Sequence, residues 1–137
     1  MDDNIQDFEQ FMRRREAAAL AFVNGDADPL GQITAQAADA TFFGPRGDYY
    51  QGAEQVSSVY KRDSALFESG ETTLEIFHMS ASDSVGYWVG LQRATVRLKG
   101  QNAPVNFDLR VTEVFRKEHN EWKLVHRHAD PLKTPPE

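Results

Sequence analysis

The chain has 137 residues and no cysteine, and its 21 acidic and 15 basic side chains give a formal net charge of −6. This length fits one domain, residues 1–137, with a single core. The lack of cysteine excludes disulfide scaffolds, thiol catalysis and zinc–thiolate sites. The negative charge argues against binding to nucleic acids or anionic membranes, since both need clustered positive charge.

The first half of the chain is predicted to contain three helices and two short strands. Asp28 followed by Pro29 is typical of a helix start, with aspartate as the N-cap and proline at the first helical position. The predicted elements are, in chain order, helix 5–24, helix 28–37, strand 40–43, strand 49–51 and helix 53–67.

The second half is predicted to be strand and turn. Four strands are expected over residues 72–81, 85–98, 105–116 and 122–129, and residues 132–137 are expected to be a frayed tail. Short turns between strands indicate an antiparallel meander. Helices that precede strands indicate the α+β class. We therefore predict three helices on the concave face of a strongly bent antiparallel sheet, with a pocket between the two layers.

Three segments in this order resemble the nuclear transport factor 2-like superfamily, in particular its SnoaL-like and calmodulin-kinase association-domain-like branches. They are ATFFGP at 40–45 followed by QGAEQV at 51–56, RVTEVFRK at 110–117, and WKLVHRHAD at 122–130. The resemblance covers about residues 5–131. It implies a cone-shaped half-barrel, a pocket between sheet and helices, and a homodimer that packs through the sheets.

The resemblance does not imply one activity, because the superfamily contains isomerases, cyclases, dehydratases, epoxide hydrolases, binding modules and assembly domains. In its ketosteroid isomerase branch an aspartate precedes the proline of the first strand motif and a tyrosine lies on the first helix. Here Gly44 takes the place of that aspartate, and residues 5–24 contain no tyrosine. A simple ketosteroid isomerase is therefore not expected.

His126 and His128 are two residues apart on a predicted strand, so they share a face with Trp122 and Leu124. If that apolar pair points into the core, both histidines face the pocket. Acid–base catalysis, anion binding and a hydrogen-bonded polar core are all compatible with this placement. No carboxylate lies at a fixed spacing to act as a third ligand, so neither a metal site nor a cofactor is predicted.

Arg110 and Thr112 share one face of their strand, and we predict that this face lines the pocket. Arg110 then either binds a ligand carboxylate through two parallel hydrogen bonds or pairs with a neighbouring strand or a dimer partner. A register shift of one residue would turn Arg110 outward. Asp108 and Glu113 are the nearby carboxylates, and only one of them can point inward because they lie on opposite faces.

Other pocket residues are predicted from the alternation of the long strand 85–98. Trp88, Gly90 and Gln92 alternate with Tyr87, Val89 and Leu91, and the sequence leaves open which set lines the pocket. We favour Trp88 and Gln92 inward, because Gly86 and Gly90 on that face leave room for a ligand. Phe42 is predicted as a further ligand-binding residue. The residues of the last three strands that point away from the pocket are expected to form an apolar outer face through which two chains pair. This face is expected to include Val89, Leu91, Val111 and Val125.

The predicted function is binding of a small carboxylate or polar aromatic compound in an apolar pocket whose basic end is Arg110, His126 and His128. The first alternative is a SnoaL-like isomerase, cyclase or dehydratase with a histidine base, for which the catalytic candidates are the same three residues. The second is an oligomerisation domain with a vestigial pocket. The expected partners are a small ligand and a second copy of the chain. The expected compartment is the cytoplasm, since the N-terminal segment has no basic start or apolar stretch.

Overall fold

The computed structural model describes residues 3–36 and 39–133, with helices mainly in the first half and long strands in the second. In chain order the elements are α1 (Asp3–Phe22), α2 (Asp28–Ile33), β1 (Thr41–Phe43), β2 (Tyr49–Gln51), α3 (Ala53–Ser64), β3 (Phe67–Ala81), β4 (Val85–Leu98), β5 (Val105–Asn106), β6 (Leu109–Glu118) and β7 (Glu121–Pro131). The predicted α+β class is confirmed.

The second helix is shorter than the predicted 28–37. It ends at Ile33 because Thr34 is extended, with ψ of 139°, and forms an isolated parallel bridge with Leu124. The predicted end near Ala37 lies outside the described residues, and so do residues 134–137 of the predicted tail.

Two further boundaries differ where elements meet. Phe67, predicted as the last residue of the third helix, instead begins β3, since α3 ends at Ser64. The predicted strand 105–116 is divided into β5 and β6, which both pair with β4.

The seven strands of the described chain form one curved, mixed sheet in the order β2-β1-β7-β6-β4-β3, with β5 paired to β4. Five of the six pairings are antiparallel, as predicted. The exception is β1, which runs parallel to β7, with Thr41 opposite His126 and Phe43 opposite His128. The prediction was wrong here because these two strands are far apart in sequence, and no turn signals their direction.

Helix α1 covers one face of the sheet through aromatic contacts. The ring centroid of Phe8 lies 5.4 Å from that of Phe115 and 5.2 Å from that of Trp122, and Phe11 lies 5.3 Å from Phe115. All three pairs are edge-to-face, a favourable arrangement for buried rings. A Cβ on Gly86 would lie 2.9 Å from the Phe8 ring, so a helix side chain fills the space that was expected to hold a ligand.

Gly90 lets β3 approach β4 closely. The pairing of these strands shifts between Ile76 and His78, and a Cβ on Gly90 would lie 2.0 Å from the backbone oxygen of Glu75. Only the absence of a side chain permits this contact.

Replacing Gly90 with alanine should therefore lower the free energy of unfolding by about 1–3 kcal/mol, because the β3 backbone must move. Gly31→Ala is the control: no described atom lies within 4 Å of a Cβ there. Alanine is preferred over glycine in a helix by roughly 0.5–1 kcal/mol, so this variant should be more stable. Urea unfolding of both proteins measures the difference, and equal effects would contradict the packing explanation.

Candidate functional site

A buried ion-pair cluster joins α1, β6 and β7. Arg15 donates from Nε and Nη2 to the two carboxylate oxygens of Glu113 at 2.9 and 2.8 Å. Arg127 donates from Nη1 to Glu113 Oε2 at 2.6 Å. All three side chains are buried. Two guanidinium groups therefore share one carboxylate, and the cluster carries one excess positive charge.

Two side chains of β4 complete the cluster. Trp88 donates from its indole nitrogen to Glu113 Oε1 at 2.7 Å, and Arg127 Nη2 donates to Gln92 Oε1 at 2.9 Å. Trp88 and Gln92 face the helices, which is the orientation that the sequence predicted for them. Glu113 thus accepts four hydrogen bonds, two on each oxygen.

Glu113 is ionised at neutral pH although water does not reach it. Burial by itself raises the pKa of a carboxyl group, but the charges of Arg15 and Arg127 and their hydrogen bonds outweigh burial here. They lower the pKa of Glu113 from 4.5 to about 2.

A cavity of about 320 Å³ lies beside this cluster, between the helices and the sheet. Its polar wall contains Arg15, Tyr60, Gln92 and Arg127, whereas most of the remaining wall is apolar, including Phe22, Leu30, Phe42, Phe67 and Leu109. Of the residues that the sequence predicted for ligand binding, Gln92 and Phe42 line this cavity. Trp88 lies behind the wall, where it contacts Glu113. A mainly apolar lining with a few polar groups is typical of small-molecule sites.

Three buried polar atoms find no hydrogen-bond partner among the described residues: Arg15 Nη1, Tyr60 Oη and Asp48 Oδ1. All three residues line the cavity. Burial raises the pKa of the Tyr60 hydroxyl, and the charges of Arg127, Glu113 and Arg15 also act on it, so this hydroxyl lies near the cluster. Unpartnered buried polar atoms are rare in native proteins. Their concentration at one cavity indicates unused hydrogen-bonding capacity there.

Asp48 is fixed by its neighbours in the β1–β2 turn. Its Oδ2 accepts a hydrogen bond of 2.5 Å from the hydroxyl of Tyr50, which in turn accepts one from Arg62. A Cβ on Gly44 would collide with Asp48 Oδ1. The glycine at this position is therefore explained by the approach of the Asp48 carboxylate.

The predicted inward orientation of His126 and His128 was wrong. Val114 pairs with His126, whereas the next residue, Phe115, pairs with Leu124, so Val125 is an extra residue in β7. This β-bulge reverses the alternation after Leu124. Both histidines then lie on the outer face, with their rings 4.9 and 5.6 Å from that of Phe43.

His126 also contacts a hydroxyl on the outer face, where its Nδ1 lies 2.7 Å from Thr41 Oγ1. Partial burial lowers the pKa of His126, and the nearby His128 lowers it further. Among the described residues that line the cavity there is no histidine.

Arg110 and Thr112 also face outward, contrary to the prediction. Arg110 donates to both oxygens of Asp130 on β7, at 2.7 and 2.9 Å. The alternative of an ion pair with a neighbouring strand is therefore the observed one for Arg110. The inward face of β6 carries Leu109, Val111, Glu113 and Phe115, which are all buried. Val111, predicted on the outer face, consequently belongs to the core.

Part of the cluster had a signal in the sequence. Glu113 alternates with Val111 and Phe115, which form the more apolar face of their strand, and Arg15 lies one helical turn after Phe11. Both positions indicate burial. No such signal existed for Arg127, because its orientation depends on the bulge in β7. Within residues 3–36 and 39–133, no group of three histidine or acidic side chains has the arrangement of a metal site.

The family model of the SnoaL-like domain matches residues 14–131. The chain belongs to the SnoaL-like domain family. The superfamily that the sequence resembled is thereby confirmed. A search of curated proteins found no significant match. None of the helices in the described ranges is long and apolar enough to cross a membrane.

Solved structures similar to this SnoaL-like chain share its fold at low sequence identity. A candidate dehydratase of the nuclear transport factor 2-like family from Streptomyces avermitilis has a TM-score of 0.80 and 22% identity, with 94% of this chain and 98% of that chain covered. A nuclear transport factor 2-like superfamily protein from Salmonella enterica has a TM-score of 0.78 and 18% identity, with coverages of 95% and 92%. A candidate calcium/calmodulin-dependent protein kinase type II association domain from Thiobacillus denitrificans has a TM-score of 0.70 and 18% identity, with 88% of this chain and 93% of that chain covered.

Replacing Glu113 with glutamine should lower the free energy of unfolding at neutral pH by about 3–5 kcal/mol, because two buried guanidinium groups lose their counter-charge. Glu118→Gln is the control, since Glu118 pairs with Arg116 at a partly exposed site. That variant should lose less than about 1 kcal/mol. Urea unfolding of the two variants and the parent measures both losses in the free energy of unfolding. Similar losses in both would contradict the central role of the cluster.

Comparing the parent protein with Glu113→Gln at different pH values gives a second test. The pKa of Glu113 is depressed from 4.5 to about 2 by folding, so its ionised form stabilises the protein fully above pH 4.5. That contribution is lost as the pH falls from 4.5 towards about 2. The stability difference between the parent and Glu113→Gln should therefore shrink over this range. A difference that stays constant down to the lower limit would contradict the assigned pKa.

Proposed function

We propose that the protein binds a small, mainly apolar compound whose acidic or hydrogen-bond-accepting end lies against Arg15, Tyr60 and Arg127. The observation that carries this proposal is the cluster at the cavity wall, in which two guanidinium groups share one carboxylate. Within the described chain, Arg15 Nη1 is left without a partner. A buried net charge is unfavourable unless it is paired. A carboxylate or phenolate in the cavity supplies the missing negative charge where water screens it least.

Tyr60 and Asp48 extend the polar end of the proposed site. The Tyr60 hydroxyl has a proton to donate to an oxygen of the ligand, and Asp48 Oδ1 accepts a hydrogen bond from a ligand hydroxyl or amine. Neither atom has a partner among the described residues. A carboxylate or polar aromatic compound that also carries a hydroxyl group would satisfy both atoms and Arg15.

This polar end replaces the one predicted from the sequence, which consisted of Arg110, His126 and His128. The alternative of an enzyme with a histidine base loses its support, because no described residue lining the cavity is a histidine. The alternative of a vestigial pocket does not account for a cavity of about 320 Å³ with unused polar groups at its wall. We therefore propose ligand binding ahead of catalysis or assembly alone.

We also propose that two copies of the chain pair through the outer face of the sheet. Of the residues predicted for this face, Val89 of β4 is half-buried and pairs with Thr112 of β6, whereas Leu91 is already buried within the single chain. Phe43 is 41% exposed beside the two histidines. Phe43 and Val89 gain stability when a second surface covers them.

Tyr60→Phe should have opposite effects on stability and on binding. It removes a buried hydroxyl that is unpaired within the described chain, so the free energy of unfolding of the ligand-free protein should rise by about 1 kcal/mol. Octanoate, a compact apolar carboxylate, should bind about 1.5–3 kcal/mol more weakly, the range for a hydrogen bond to a charged group. Urea unfolding and titration calorimetry measure the two effects.

Tyr87→Phe is the matched control. The Tyr87 hydroxyl lies 3.2 Å from Nδ1 of His78, and Tyr87 does not line the cavity. This variant should be less stable than the parent and should bind octanoate with unchanged affinity. If Tyr60→Phe binds octanoate as the parent does, the proposed polar end is wrong.

Light scattering should give a mass of two chains of 15.5 kDa each for the parent protein at micromolar concentration. Phe43→Lys should give the mass of one chain, because the charge must be desolvated in the paired state. Leu20→Lys, at an equally exposed apolar position on α1, should leave the dimer intact. A parent protein that is monomeric would rule out the pairing.

A further inference from the structure

Some of the side chains that line the cavity are exposed to solvent; Arg46 is one of them, and three others are apolar. Leu66, Val105 and Phe107 line the cavity and are 47%, 45% and 38% exposed. They come from two separate parts of the chain: the segment after α3, and β5 with the residues that follow it. Large exposed apolar groups that line a cavity indicate a surface that binds something apolar.

Backbone hydrogen bonds hold this rim in place. The amide of Phe107 donates to the carbonyl of Ala94 at 2.8 Å, and the amide of Lys99 donates to the carbonyl of Leu66 at 3.0 Å. The ring of Phe107 also meets the buried ring of Phe67 edge-on, with centroids 6.0 Å apart. The apolar groups are therefore presented by an ordered part of the structure.

Another part of the cavity wall is buried and polar. Arg15, Tyr60, Gln92 and Arg127 are all buried, and they form this part of the wall. Arg46, Asp48 and Asp63 also line the cavity, and Arg46 lies 3.9 Å from the Asp63 carboxylate. The wall of the cavity thus contains a buried part with two guanidinium groups and an exposed apolar rim. A ligand that matches both parts has a polar head and an apolar tail.

We infer that the ligand is an amphiphilic carboxylate whose head lies at the buried end and whose hydrocarbon tail leaves the cavity between Leu66, Val105 and Phe107. This inference rests on the proposed function, because it takes the polar end of the cavity as the site of the head. Each methylene that becomes buried against the rim strengthens binding about fourfold. The rim therefore selects for chain length, whereas the buried end selects for the acidic group.

Calorimetry with a series of straight-chain carboxylates tests this assignment. Hexanoate, octanoate, decanoate and dodecanoate are titrated below their micelle-forming concentrations into the parent protein. The affinity should rise about two- to fourfold per methylene through the longest members of the series. Val105→Ser and Phe107→Ser should flatten this rise for decanoate and dodecanoate and leave the affinity for hexanoate unchanged.

Val85→Ser is the matched control, since Val85 is a strand valine of 47% exposure that does not line the cavity. It should keep the full dependence on chain length. If hexanoate binds and the rim variants retain that dependence, the tail does not contact the rim: the inference is overturned and the proposed function stands. If no member of the series binds the parent protein, the proposed function fails and the inference falls with it.

Discussion

The buried carboxylate of Glu113 is the constraint on which the site depends. Removing a carboxylate from water is costly, and this one is compensated by Arg15, Arg127 and Trp88, which donate four hydrogen bonds to it. These partners belong to α1, β7 and β4, so the helix must sit at a defined place on the sheet for the charges to pair. The same contact that positions α1 also positions the Arg15 guanidinium at the cavity wall.

The cavity and its cluster illustrate how binding and stability oppose each other in one structure. Arg15 Nη1 and Tyr60 Oη are desolvated and unpaired among the described residues, which makes the ligand-free state less stable than its packing would allow. A ligand with an acidic end removes this penalty when it binds. Buried polar groups without hydrogen-bond partners therefore indicate a binding site where they line a cavity.

The two faces of the sheet have separate chemistry because of one extra residue in β7. Before the bulge, Trp122 and Leu124 pack into the core; after it, Arg127 faces inward and His126 and His128 face outward. Without the bulge the histidines would line the cavity and Arg127 would face solvent. A single insertion in a strand thus exchanges an imidazole pair for a guanidinium at the polar end of the site.

The sequence by itself determined the class, the order of the elements and the superfamily, because hydrophobic periodicity and turn residues are local signals. Alternation along β4 allowed two orientations, and the favoured one, with Trp88 and Gln92 inward, is observed. The reason for favouring it was wrong, because Phe8 and the β3 backbone fill the space beside Gly86 and Gly90. The parallel pairing of β1 with β7 and the bulge at Val125 arise from contacts between strands that are distant in the chain. Only the tertiary structure decided that Arg15, Glu113 and Arg127 meet, since a register shift of one residue turns every side chain that follows it to the other face.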